Sequence, residues 1–333
     1  MSKKICLTGI KPTGIPHLGN YLGAMRPAIN LANSGEYDGY LFIADYHSLT
    51  SVYDPKKLNE DTYSVAASWL ASGLDPEKVT LYKQSDMPEI LELNWILSCF
   101  CNKGLMNRAH AYKAKVQANL ENKKDEDSGV NLGLFSYPVL MSADILFLNS
   151  DIVPVGPDQL QHIEIARDLV NAFNHHYGEV LKEPKALENE AILIPGLDGR
   201  KMSKSYDNTI PLFSTEKKFK KLINKITTDS LPPEAPKDPK SSTIFDLFCL
   251  FSSEQEQKEL SDWYQRGIGW GEAKAELFRV ANREIGPMRE KYEYLMNNRS
   301  EIDEILSAGA KKIRPLASAN LARVKKAIGV SNG

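Results

Sequence analysis

A Rossmann-like, doubly wound parallel sheet of the α/β class, followed by an all-helical C-terminal segment, is the fold this sequence predicts. Three observations carry that expectation. Apolar strand runs alternate with helical patterns through the first two hundred residues; the run Gly39–Asp45 is continuously apolar; and no convincing strand follows Phe213. A continuous apolar run suits a strand covered on both faces, as strands of parallel sheets are. Alternating βαβα order leads to a doubly wound sheet that takes its ligands outside the carboxyl ends of the strands.

The elements follow in order. Lys4–Ile10 reads as a short apolar strand passing through Gly9. Asn20–Leu31 is helical, because Tyr21, Leu22, Met25 and Ile29 fall on one face. Gly39–Asp45 is the second strand, Lys57–Ala71 a helix, Val79–Lys83 a strand and Pro88–Phe100 a helix. Pro138–Leu148 reads as helix, Ile152–Val155 as strand, Asp158–Phe173 as helix and Ala191–Ile194 as strand. A change of character at residues 206–214 divides the chain into an α/β catalytic domain, residues 1–212, and a helical domain, residues 213–333. In the second, Lys217–Lys225 holds five lysines and no acid, a Pro-rich loop spans Leu231–Lys240, and residues 305–333 hold six Lys/Arg and no Asp or Glu. Such stretches are either solvated basic faces or contacts to phosphates. Glu121–Gly129 is polar and expected to be mobile.

Bulk properties narrow the function classes. With 333 residues, 42% hydrophobic and 25% charged, and a formal net charge of −2, the chain is an ordinary globular protein with room for two domains. That balance excludes non-specific coating of DNA or a membrane, so a polyanion must meet a local patch. No apolar run reaches the roughly 18 residues that cross a bilayer. Met1-Ser2-Lys3-Lys4 leads into a strand pattern rather than a signal peptide. Cys6, Cys99, Cys101 and Cys249 lack CxxC spacing and sit in apolar contexts, which predicts buried free thiols in a reducing, cytoplasmic compartment.

Two distant stretches carry the chemistry. Gly9-Ile10-Lys11-Pro12-Thr13-Gly14, with His17, Gly19 and Asn20, joins a strand to a helix start. Glycine there lets backbone approach a ligand, a flat base can lie against Gly19, and His17 can donate to a phosphate beside the positive end of the helix dipole. Alone, this is equally a tight turn with a capping histidine. Neither GxxxxGK nor GxGxxG is present, which removes the P-loop and dinucleotide readings. The second stretch, Lys201-Met202-Ser203-Lys204-Ser205, lies between Gly199 and Asp207-Asn208, with Gly196–Arg200 as a hinge. Two ammonium groups three residues apart suit triphosphate oxygens in a transition state. A third cluster, Tyr137–Asp144, puts Met141 and Asp144 on one helical face, where an ionised carboxylate asks for a donor such as an indole N–H.

Together these stretches resemble the two signature motifs of the class I aminoacyl-tRNA synthetases. Similarity to the bacterial tryptophanyl branch of that class runs over essentially the whole length. It is carried by Gly9–Ala24, Asp45-Tyr46-His47, Tyr137–Leu146, Val153–Asp168 and Lys201–Asn208. The resemblance implies activation of L-tryptophan by ATP with Mg²⁺ accompanying the triphosphate, transfer to tRNA(Trp), no dedicated protein metal site, and a homodimer. It implies ATP contacts at Lys11, Thr13, Gly19, Asn20, Gly156, Asp158, Gln159, Met202, Ser203 and Lys204, with Asp158 on the ribose side. It implies tryptophan contacts at Leu7, Gly9, His47, Met141, Asp144, Val153, Val155 and Gln159. Lys201, Lys204, His17 and Lys113 carry the catalytic expectation, with Arg108 and Lys115 as weaker phosphate candidates. His162 reads as an interior histidine. Lys11 stands where many relatives have glutamine. Alternatives are a tyrosine-specific ligase of the same architecture, a small adenylyltransferase, which would need neither the lysine loop nor the helical tail, and a non-catalytic RNA-binding paralogue.

Overall fold

A computed structural model describes residues 3–188 and 193–330. Five parallel strands form one sheet: β1 (Ile5–Ile10), β2 (Asp38–Ile43), β3 (Thr80–Lys83), β4 (Ile152–Val155) and β5 (Lys185–Glu188), in the order β3-β2-β1-β4-β5. β1 is central and pairs with both β2 and β4. Chain direction across the sheet therefore reverses between β1 and β4, the switch point at which doubly wound sheets bind ligands.

Helices cover both faces. One apolar cluster joins Leu22, Ile43, Val65, Trp69 and Leu81 to Ile210, Phe219, Phe248, Tyr264, Leu277 and Ile302. It runs without a break from the sheet into the C-terminal helices Glu216–Ile223, Thr243–Cys249, Glu254–Arg266, Trp270–Asn297 and Arg299–Ala327. The other cluster joins Leu7, Phe42, Tyr82, Val139, Phe147 and Phe173 to Ala310, Ile313, Ala317 and Leu321. The last helix thus returns to the α/β half and lies along β3. At Gly309 it comes so close that an added Cβ would sit 1.9 Å from the Leu81 carbonyl oxygen.

Several expectations are corrected. The helix expected from Pro138 is Leu132–Leu146, with Asn131 as N-cap and Pro138 inside it. The helix expected over Asn20–Leu31 begins at Leu18 and passes through a π-helical turn, Tyr21–Met25, before Arg26–Asn33. β5 was not foreseen, and the strand expected at 191–194 falls partly outside the described residues. Of the four free cysteines only Cys6 is buried, and burial pushes its thiol up to about 11; Cys99 is exposed. Within Glu121–Gly129 the backbone is tied down, as the Asn119 amide donates to the Glu126 and Ser128 carbonyls at 2.8 and 2.9 Å.

Candidate active site

Two cavities lie at the β1/β4 switch point, and a third adjoins one of them at Asn20. The first, of about 550 Å³, is lined by Leu7, Gly9, Phe42, Val153, Val155, Met141 and Tyr137, with Lys11, His47, Thr50, Asp144 and Gln159 among its polar groups. It is mainly apolar with a few convergent polar atoms, the character of a small-molecule site. Gly9 is required by packing: a Cβ there would lie 2.5 Å from the Phe42 ring. Asp144 is fully buried. Its Oδ2 lies 2.9 Å from His47 Nε2, and Gln84 Nε2 donates to Oδ1 at 2.8 Å and Oδ2 at 3.0 Å. Desolvation pushes the Asp144 carboxyl upward, opposed by the hydrogen bonds from His47 and Gln84.

A second cavity, of about 350 Å³, shares Gly9, Lys11, Pro154, Val155 and Gly156 with the first and adds Thr13, Gly14, Asn20 and Lys204. Lys11 lies on both walls, its ammonium 3.3 Å from Thr50 Oγ1. Burial holds this ammonium below the ordinary lysine value. A third cavity, of about 430 Å³, brings His17, Gly19 and Asn20 together with Lys201, Met202, Ser203, Ser205 and Tyr206.

His17 caps the helix Leu18–Asn20. Its Nδ1 accepts from the Asn20 N–H at 3.2 Å, while Asn20 Oδ1 accepts from the His17 N–H at 3.1 Å. An accepting Nδ1 means that the neutral ring carries its proton on Nε2, ready to donate. Burial, reinforced by the Lys204 charge, lowers the His17 pKa to about 4, so the ring is neutral at physiological pH.

The lysine loop is anchored to this helix start. The Gly19 N–H points at Met202 Sδ, 3.2 Å away, and Lys204 Nζ donates to the Thr13 carbonyl at 3.2 Å. Leu18 N–H donates to Ile210 O, and Leu212 N–H to Pro16 O, closing a bridge between His17 and Pro211. Inside the loop, Asn208 accepts from the Ser203 N–H and donates to Asp198 and to the Lys201 carbonyl. Gly196 makes room for it, since a Cβ there would stand 2.4 Å from the Asn208 amide. A base cannot occupy the side of Gly19 that a Cβ would fill, because His17 Nδ1 and Met202 Cβ lie 3.0 and 3.1 Å from that position. Here glycine serves the contact between the two motifs, and Met202 is buried in the core beneath them.

Some expected residues lie elsewhere. Lys113 lines a separate groove with Asn107, Tyr112, Gln117 and Glu126, although Ala111 of the same helix, His110–Glu121, reaches the first cavity. Asp158 is exposed at the rim and accepts from Gln159 Nε2 at 2.9 Å. His162 is buried, its Nε2 2.7 Å from Tyr137 Oη. Gln84 and Phe42 were missed. A lone glutamine at a strand end has no spacing to mark it.

With this geometry in view, the comparisons with known proteins agree. The family model described as class I tRNA synthetases (W and Y) matches residues 2–285. The chain belongs to this family. Among class I synthetases, a tryptophan–tRNA ligase of Neisseria meningitidis is 52% identical, over 99% of this chain and 99% of that protein. One from Pseudomonas aeruginosa is 50% identical, over 97% of this chain and 73% of that protein. The tryptophanyl-tRNA synthetase of Campylobacter jejuni, solved with ADP and tryptophan, is 43% identical with a TM-score of 0.89, covering 98% of this chain and 99% of its own. The tyrosyl-tRNA synthetase of Archaeoglobus fulgidus, 17% identical with a TM-score of 0.62, shares the fold. His17, Gly19 and Asn20 of the first stretch and Lys201, Met202, Ser203 and Ser205 of the second line one cavity.

Proposed function

We propose that this chain activates L-tryptophan with ATP and transfers it to tRNA(Trp). The observation that carries the reading is the convergence of His17, Gly19 and Asn20 with Lys201 and Ser203 on one cavity. Lys204 borders the adjoining cavity, which opens in turn on the apolar cavity containing Asp144. The tryptophan carboxylate attacks the α-phosphorus of ATP, the α–β bridging bond breaks, and pyrophosphate leaves. The tRNA terminal ribose 2′-hydroxyl then attacks the adenylate carbonyl, AMP departs, and the hydroxyl proton passes to solvent. No side chain has to be a nucleophile. Rate comes from positioning and from cations and N–H donors aimed at charge developing on the triphosphate.

In this reading Lys201, Lys204 and the Nε2–H of His17 bind the β- and γ-phosphates. Lys11 and Thr13 line the passage between nucleotide and amino acid, and Gly156 with Asp158 borders the ribose. Leu7, Phe42, Met141, Val153 and Val155 enclose the indole, Asp144 accepts its N–H, and Gln159 and Tyr137 face the α-amino group. Lys113 is assigned no role, since its groove is separate. Among the described residues no group of three His, Cys, Asp or Glu side chains is placed to hold a metal. Mg²⁺ accompanies the triphosphate in this reading and neutralises part of its charge. Residues 1–212 form the catalytic domain and residues 213–333 receive the anticodon arm, the lysines of Glu216–Ile223 meeting its phosphates. The working form is a homodimer in the cytoplasm; no described helix is long and apolar enough to cross a membrane.

Pyrophosphate exchange into ATP, run with each amino acid separately, tests the reading. Exchange should depend on tryptophan. Exchange driven by tyrosine instead would establish the rival specificity, and none with any amino acid would establish a non-catalytic paralogue.

A further inference from the structure

Asp144 is held from two sides. Gln84 begins the 3₁₀ turn Gln84–Asp86 directly after β3, is fully buried, and lies behind the carboxylate rather than on the cavity wall. Its Nε2 reaches both oxygens of Asp144, at 2.8 and 3.0 Å, while its Oε1 accepts from the Tyr46 N–H at 3.1 Å. That second bond fixes which way the amide points. Reversed, it would set an oxygen against the carboxylate and an NH₂ against the Tyr46 N–H, leaving two unmatched buried groups. Tyr46 is itself held, because Asp45 Oδ1 also accepts from its N–H at 3.0 Å and from the Ser85 N–H at 3.0 Å.

We propose that Gln84 is a positioning residue for amino-acid selectivity: it keeps Asp144 ionised and aimed, so that a ring N–H meets an acceptor in a mainly apolar cavity. The inference rests on the tryptophan reading of that cavity. A carboxylate accepts about four hydrogen bonds. His47 and Gln84 fill Oδ2 and one position on Oδ1, which leaves an acceptor site on Oδ1 for a ligand donor. The ionisable groups facing Asp144 are His47 and Asp45, from the segment after β2, and Tyr82 of β3, whose buried hydroxyl has no partner. Of these only His47 opposes the upward push that burial exerts on the carboxyl, so the uncharged Gln84 supplies the remaining stabilisation of the anion. Without it Asp144 takes up a proton more readily and its aim loosens.

The test compares tryptophan with an isosteric benzothiophene analogue that lacks the ring N–H. In Gln84→Met, kcat/KM for tryptophan in pyrophosphate exchange should fall about ten- to hundred-fold, mostly through KM, as expected for one lost hydrogen bond to a charged group. The analogue should lose less than about threefold, because it never used that acceptor. As pH falls, the tryptophan KM of the variant should rise more steeply than that of the wild type, because burial pushes the Asp144 carboxyl upward and the bond from Gln84 opposes it. Gln84→Glu provides a second arm should the first variant not fold. Its acid can donate to Asp144 only while the pair shares a proton, so its tryptophan KM should rise with increasing pH, the opposite sign. Equal losses for both substrates, or unaltered selectivity in a folded variant, would overturn the proposal. Either result leaves wild-type exchange with tryptophan intact, so failure here is distinct from failure of the assigned function.

Discussion

Lys204→Ala separates what the lysine loop does for folding from what it does for chemistry. In the structure Lys204 is exposed and makes one hydrogen bond, to the neutral Thr13 carbonyl at 3.2 Å. An exposed bond of that kind contributes no more than about 1 kcal/mol. The loop keeps its other anchors: the Gly19–Met202 contact, the Asn208 frame and the Leu18–Ile210 bond. Loss of Lys204 should therefore move the melting temperature by only a few degrees. In the transition state the same ammonium faces charge moving onto the leaving pyrophosphate. Removing one such preorganised donor costs about 10²- to 10³-fold in kcat, or roughly 3–4 kcal/mol. Tryptophan-dependent pyrophosphate exchange should fall by that factor, with the tryptophan KM changed less than about twofold, since Lys204 does not line the amino-acid cavity. Lys204→Arg should recover part of the rate, because the charge returns without the compact ammonium geometry. A variant that exchanges at near wild-type rate would refute the role given to the loop.

Other outcomes follow from the same geometry. Gly19→Ala should weaken ATP use by at least about tenfold in kcat/KM, since its Cβ would stand 3.0 Å from His17 Nδ1 and 3.1 Å from Met202 Cβ; unchanged ATP kinetics would contradict the packing. Gly309→Ala should destabilise the fold by more than about 3 kcal/mol in denaturant titration, because its Cβ would strike the Leu81 carbonyl, a backbone atom that cannot swing away. His17 gives a pH signature. Its folded pKa of about 4 lies below the ordinary 6.5, so between those values the unfolded chain binds a proton that the folded chain refuses. Stability should therefore be lost as pH falls through this window, by up to about 3 kcal/mol, and His17→Asn should remove that part of the slope. Over pH 6–9 the ring stays neutral and should add no inflection to the kcat/KM profile.

How much of this was legible beforehand depends on how each signal is written in the chain. β1, β2 and β4 announced themselves through apolar runs, as core strands do. β5, Lys185–Glu188, did not, because two of its four side chains are charged and exposed at the sheet edge. Pro138 suggested a helix start, but the Asn131 cap seven residues earlier prevails, and proline is tolerated where neighbouring packing holds the turn. The π turn at Tyr21–Met25 leaves no spacing mark. The site was readable where a motif is local: His17 with Asn20 and Lys201 with Ser205. It was unreadable where function depends on a residue brought in by the sheet, as with Gln84 behind Asp144. Gly19 was recognised as necessary for a different reason from the one the structure shows, which is contact with Met202.

Lysine acylation footprinting, with and without a non-hydrolysable ATP analogue, probes the central claim most directly. Lys201 and Lys204 should be protected together by the nucleotide, whereas Lys217 and Lys218 on the neighbouring helix, and Lys113 in its separate groove, should react as before. Protection of Lys113 without Lys201 and Lys204, or no change at either loop lysine at saturating nucleotide, would mean that the two motifs do not share one triphosphate.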